Sequence, residues 1–180
     1  MRKLLLAFVL SGAFVPAIHA QVGAAPAVPA TSAEGIAPLA WMVGGTWVGE
    51  EPGAGGATLK VLMTARWAET RNAILFDVAF ESAGERTAQY NGMFLWHPGR
   101  KKLTLWQINR KGEVAEGEVF PSAAVIDQTV SVDHLDGTRH FLKVRYRLLD
   151  KDTFHFKGFF RLREDAPWQD AVEVTYRRQP

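Results

Sequence analysis

The chain has 180 residues, 47% hydrophobic and 22% charged, with no cysteine and 21 basic against 19 acidic side chains. Such a chain makes one globular domain held by a core rather than by disulfides, and a domain of roughly 140 residues buries enough of its unfolded surface for that. The near-balance of charge leaves no basic footprint for nucleic acid.

Residues 1–20 read as a secretory signal peptide. Arg2 and Lys3 precede an apolar run from Leu4 to Ala17, and Ile18-His19-Ala20 sets a small residue before Gln21. The run falls short of the roughly 20 residues that span a bilayer, so no transmembrane segment is expected after cleavage and the location is periplasmic or secreted. Without Arg2 and Lys3 the remainder carries nineteen charges of each sign, and with no cysteine it cannot take an N-terminal lipid. Residues 21–38, rich in Ala with Pro26, Pro29 and Pro38, lack apolar periodicity and read as a disordered linker.

The domain proper is expected over 39–180. Pro38 to Val43 reads either as one helical turn plugging the lower end of the domain or as a plain apolar lead-in, since short apolar runs do not discriminate. Gly44-Gly45 then opens a strand at Trp47. Period-two segments come next. Leu59, Val61, Met63, Ala65 and Trp67 share one face; Ile74, Phe76, Val78 and Phe80 share the next; Tyr90, Gly92, Phe94 and Trp96 run into the turn His97-Pro98-Gly99-Arg100. Leu103 to Ile108, Glu113 to Phe120 and Val125 to Val132 continue the series, with Arg110-Lys111-Gly112 as a tight connection and Asp136-Gly137 as a two-residue hairpin signal. The last three strands carry the sharpest alternation, including Leu142, Val144, Tyr146 and Leu148, then Phe154, Phe156, Gly158 and Phe160, then Val172, Val174 and Tyr176.

Short strands joined by short turns make a meander, which removes its exposed edges by closing. The expected fold is all-β, a closed antiparallel up-and-down β-barrel of eight to ten strands with the apolar faces inward. A two-sheet β-sandwich is the alternative, because it shares the same alternation.

Gly45-Thr46-Trp47, with Arg178 on the inward parity of the last strand, resembles the calycin superfamily of lipocalins, fatty-acid-binding proteins and nitrobindin-like barrels. The resemblance implies that Gly45, Trp47 and Arg178 are structural, the indole closing the barrel base beneath a guanidinium. The run is also similar to exported calycin-like domains of unknown function, through Tyr90-Asn91-Gly92-Met93-Phe94, Trp96-His97-Pro98-Gly99 and Gly112-Glu113-Val114-Ala115-Glu116-Gly117. Nitrobindin-like barrels bind haem through a C-terminal His. Here Glu173-Val174-Thr175-Tyr176 stands in that region and no His follows His155, so no cofactor is expected, and an inward Tyr176 suits a core better than haem iron.

Among His97, His134, His140 and His155 there is no metal-binding spacing, so no metal is expected and these residues read as solvated or core. Glu116 and Glu118 share a face opposite Ala115, Gly117 and Val119, hence solvent. No nucleophile elbow, P-loop or dinucleotide fingerprint occurs, and no catalytic residue is assigned. Lys143, Arg145, Arg147, Lys157, Arg161 and Arg163 form a basic stripe on the outer wall with no flanking aromatic residues to read nucleic acid.

The inward aromatic load points to a barrel that binds a small hydrophobic or amphipathic molecule without catalysis. The expected lining is Trp67, Phe76, Tyr90, Phe94, Trp96, Trp106, Tyr146 and Phe156, with the parity of Trp106 left open. The alternatives are a barrel enzyme of the isomerase or hydrolase kind, for which His140 is the only inward histidine, and a partner-binding module using the basic stripe. Oligomeric state is not legible.

Overall fold

The computed structural model describes residues 31–53 and 56–180. The signal peptide at 1–20 and the linker from 21 to 30 lie outside the described residues. The rest of the expected linker is not one: Thr31 caps a short helix α1, Ser32–Ile36, which runs into a 3₁₀ turn, Ala37–Met42. The Thr31 hydroxyl accepts from the Glu34 N–H at 3.2 Å and the Glu34 carboxylate accepts from the Thr31 N–H at 3.1 Å, a reciprocal capping box. Pro38 sits in the first turn, where its missing N–H leaves no bond unmade. The segment buries Ile36, Leu39 and Met42 completely, so of the two readings of Pro38 to Val43 the helical one describes it.

Ten strands come after it: β1 Thr46–Pro52, β2 Thr58–Trp67, β3 Ala73–Ser82, β4 Glu85–His97, β5 Lys102–Asn109, β6 Val114–Pro121, β7 Val125–Asp133, β8 Arg139–Asp150, β9 Thr153–Arg161 and β10 Gln169–Gln179. Each pairs antiparallel with its neighbours in sequence, and β1 also pairs with β10. The barrel is therefore closed and the sandwich is excluded. Closure is registered through Trp47, which faces Met63 on β2 and Arg178 on β10. Because the strands alternate in direction, the helical segment and the start of β1 lie at one end, the floor. The β5–β6, β7–β8 and β9–β10 connections gather at the other, the mouth.

Two irregularities shape that mouth. Between Val78 and Ala79 the β3–β4 register shifts, leaving Gln89 as an extra residue, so that Tyr90 stays opposite Val78 and points inward. The β7–β8 hairpin is longer than the two-residue turn that Asp136-Gly137 suggests. His134 N–H donates to Thr138 O at 2.9 Å and Gly137, at φ +81°, closes back on His134 O at 3.0 Å, a three-residue loop with its glycine left-handed. His134 thereby sits at the base of the loop, near His140 at the head of β8.

Candidate functional site

The floor is packed solid. Trp47 is fully buried, donates its indole N–H to Met42 O at 2.9 Å, and meets Trp41 and Phe154 edge-on at 5.8 and 4.9 Å. The Arg178 guanidinium lies 4.3 Å from the Trp47 ring. Its Nη1 donates to Val43 O at 3.0 Å and Gly44 O at 3.2 Å, and its Nη2 to Trp41 O at 2.6 Å and Lys151 O at 3.2 Å. Gly45 has φ +67°, and a Cβ there would stand 2.5 Å from Gln179 O, so only glycine passes.

Above the floor the interior opens into a cavity of about 540 Å³. Its wall is mostly aromatic and aliphatic, with Phe76, Phe80, Phe94, Tyr146 and Phe156 among the rings facing it. Gly92 makes room for one of them: a Cβ on it would stand 2.4 Å from the Phe76 ring. Polar groups interrupt this wall in few places. Gln128 is 3% exposed and its amide Nε2 has no hydrogen-bond acceptor, although the side chain lies beside the Tyr146 hydroxyl.

At the mouth the polar groups converge. Glu113, between β5 and β6, accepts from Asn109 Nδ2 at 2.6 Å through one carboxylate oxygen and pairs with His134 Nδ1 at 2.8 Å through the other. The Asn109 side-chain Oδ1 in turn accepts from the Lys111 and Glu113 N–H groups at 2.9 and 3.1 Å, which fixes the turn that carries Glu113. His134 Nε2 bonds His140 Nδ1, and His140 lines the cavity. The result is a chain, Glu113 to His134 to His140, from the rim inward. With neutral rings its proton order is forced: His134 Nδ1–H donates to the carboxylate, His140 Nδ1–H donates to His134 Nε2, and His140 Nε2 keeps a lone pair.

The electrostatics agree. The hydrogen bonds from His134 and then Asn109 hold the Glu113 carboxyl below its ordinary range. Burial, reinforced by His134, lowers the His140 imidazole. Burial raises the Tyr90 phenol, and the Glu113 charge adds to that. Glu51 joins Glu113 on the cavity lining, and among the described residues no lysine or arginine lines it.

Of the residues expected to line the interior, Phe76, Tyr90, Phe94, Tyr146 and Phe156 face the cavity. Trp67 and Trp96 do not: they are partly buried rings packed against the hydrophobic core, Trp96 against Gly35 of α1. Trp106 is on the outer wall, 40% exposed, beside Met93, Ile108 and Val114. Its strand puts Leu105, Gln107 and Asn109 inward instead. The members that sequence reasoning missed are Glu113 and His134. Their signal was the pair of glycine turns, Gly112 and Gly137, that bring the ends of β5, β6, β7 and β8 to one spot.

Elsewhere, Glu116 and Glu118 pair on the outer wall with Arg100 and Lys102 at 2.7 and 2.6 Å. Along the basic stripe, Arg145 pairs with Asp127 at 2.7 Å and Lys157 with Glu173 at 2.9 Å. The stripe does have aromatic company: Lys143 and Arg161 lie 4.5 and 4.6 Å from the Trp168 ring. On β10, Tyr176 is buried and stacked on Phe154 at 4.7 Å. Among the described residues no three histidine, cysteine or carboxylate side chains gather to hold a metal ion, and no helix is long and apolar enough to cross a membrane.

No protein-family model matches the sequence, and no curated protein matches it. Among solved structures, the crystal structure of Rv2717c from M. tuberculosis is similar with a TM-score of 0.57 at 15% identity, over 81% of this chain and 98% of that one. At that identity the likeness shows the fold alone, a closed ten-strand barrel that fits a calycin-like architecture.

Proposed function

We propose that this barrel binds a small hydrophobic or amphipathic molecule in its interior without catalysing a reaction. The observation that carries the reading is the aromatic-walled space of about 540 Å³, packed shut below and polar above. Small-molecule sites fall at roughly 300 to 1,000 Å³ with few polar groups, whereas a core with nothing to hold packs like an organic crystal. Gln128 supports the same reading, because a buried donor without an acceptor costs about 1–3 kcal/mol, which an oxygen on a bound molecule would recover. The leader-like residues 1–20 support export, and Gly45-Thr46-Trp47 beneath Arg178 supports kinship with the lipocalin, fatty-acid-binding and nitrobindin-like barrels.

Native mass spectrometry of the protein purified from the cells that make it, followed by denaturing analysis of the molecules released, tests this. A stoichiometric small molecule is expected, and it is lost in Val130→Trp, which fills the cavity from a buried wall position, with folding checked by near-UV circular dichroism. A bare mass together with no uptake of a fluorescent acyl probe would mean that the interior is simply core.

One observation favours a second reading. A histidine oriented by another histidine and a carboxylate, with a lone pair toward a cavity, is also the arrangement of a general base. Loss of a measured turnover in His140→Gln with unchanged folding would favour an enzyme of the isomerase or hydrolase kind.

A further inference from the structure

Barrels that hold fatty acids need a cation for the carboxylate, since an unpaired charge in an apolar cavity is expensive. This interior is built the other way. Glu51 and Glu113 stand on its lining with no lysine or arginine among the described lining residues, and Lys111, which Glu113 also feels after His134, lies at the turn outside. Asn109 and His134 already occupy both oxygens of Glu113. The group that the Glu113, His134 and His140 chain leaves for an incoming molecule is the Nε2 of His140, because its Nδ1 is engaged by His134. With both rings neutral, the chain presents a hydrogen-bond acceptor backed by a negative charge.

Resting on the interior-binding reading above, we propose that the mouth is a head-group subsite for a hydrogen-bond donor, a hydroxyl or protonated amine, received by His140 and excluding carboxylate and phosphate heads. The apolar body of such a molecule then lies along the aromatic wall toward the floor. Gln128 gives an independent sign that the wall expects a ligand: on β7 it lies four residues before Val132, the ladder partner of His140, or about 13 Å along the strand at roughly 3.3 Å per residue. Its unpaired, buried Nε2 would take an oxygen further down the molecule. The head and a mid-chain oxygen would thus be read by opposite hydrogen-bonding roles.

The test is isothermal titration of the whole protein at pH 8 with three molecules of one chain length, decan-1-ol, decylamine and decanoate. The alcohol and the amine are expected to bind at least about tenfold more tightly than the carboxylate, that is, by about 1.4 kcal/mol or more. In His140→Leu the alcohol loses that advantage. In Glu113→Gln, which removes the backing charge without emptying the position, decanoate binding rises toward that of the alcohol. Decanoate binding as tightly as the alcohol to the native protein, or unchanged head-group preference in both variants, overturns the subsite and leaves interior binding standing. Failure of all three to bind overturns interior binding, and the subsite with it.

Discussion

At the floor, Trp47 has no exposed surface, its N–H has a partner, and the Arg178 guanidinium above it directs four hydrogen bonds to backbone carbonyls. At the mouth, Glu113 and His134 leave 14% and 25% of their side chains exposed, and the chain they begin ends on a histidine facing the cavity. Both ends combine rings with charge. The floor turns its indole N–H and both Arg178 Nη groups onto its own backbone, whereas the mouth places His140, its Nδ1 already engaged, on the cavity lining. Stability concentrated at one end allows polar groups to remain available at the other.

Replacing Trp47 by alanine would break the comparison most severely. A fully buried indole lost from a packed core costs about 3–5 kcal/mol, and the Met42 carbonyl would lose its donor. Denaturant unfolding should show a loss of that size, against less than about 1 kcal/mol for His140→Leu at the half-open mouth. Similar losses for the two would mean that the floor is not the anchor of the fold.

Arg178→Lys sharpens the same point at smaller scale. The charge is kept, but a lysine cannot fork across Trp41, Val43, Gly44 and Lys151 while lying flat on an indole. Hydrogen bonds from a charged donor are worth about 1.5–3 kcal/mol each, and some of these carbonyls can turn to water, so a net loss of about 2 kcal/mol is expected in the same unfolding experiment. A loss close to zero would show that charge alone holds the helical segment to the last strand.

This contrast also explains which features were legible in the sequence. Alternation was readable wherever the inward face is apolar, from Leu59 to Trp67 and from Ile74 to Phe80, and with the short turns it implied a closed barrel. It failed on β5, where Leu103 and Leu105 share their inward parity with Gln107 and Asn109, because a strand entering a polar mouth carries polar residues inside. The outward parity there holds Trp106 and Ile108, so hydrophobicity alone left the parity of Trp106 open and its place among the expected lining was wrong. The Glu113, His134 and His140 chain was invisible for a different reason. Its members are 21 and 6 residues apart, a spacing with no local meaning until the hairpin registers are known. At the other end, α1 hid inside an Ala- and Pro-rich stretch whose one sign was the Thr31 to Glu34 capping box.

The smallest expected effect separates the two ends by pH. The folded pKa of His140 lies below its ordinary value, so between the two values the unfolded chain binds the proton more readily and stability rises with pH. The contribution is complete above about 6.5 and erodes as pH falls below it. Glu113 is also depressed in the folded state, from 4.5; its contribution is complete above that value and lost as pH falls through its lower folded pKa. Two steps of acid destabilisation are therefore expected, the upper from His140 and the lower from Glu113 together with Asp133, Asp136 and Glu173, whose carboxyls are also held low, while the floor's indole and guanidinium do not titrate in this range. In His140→Leu, stability measured from pH 7 to 5 should flatten, with the step below 4.5 preserved. In Glu113→Gln the lower step should shrink and the upper one steepen, since the carboxylate raises the His140 pKa and its loss lets that value fall further. Matching profiles for His140→Leu and the native protein over pH 5 to 7 would mean that His140 is not held neutral by the fold, and the lone pair assigned to the mouth would have no basis in stability.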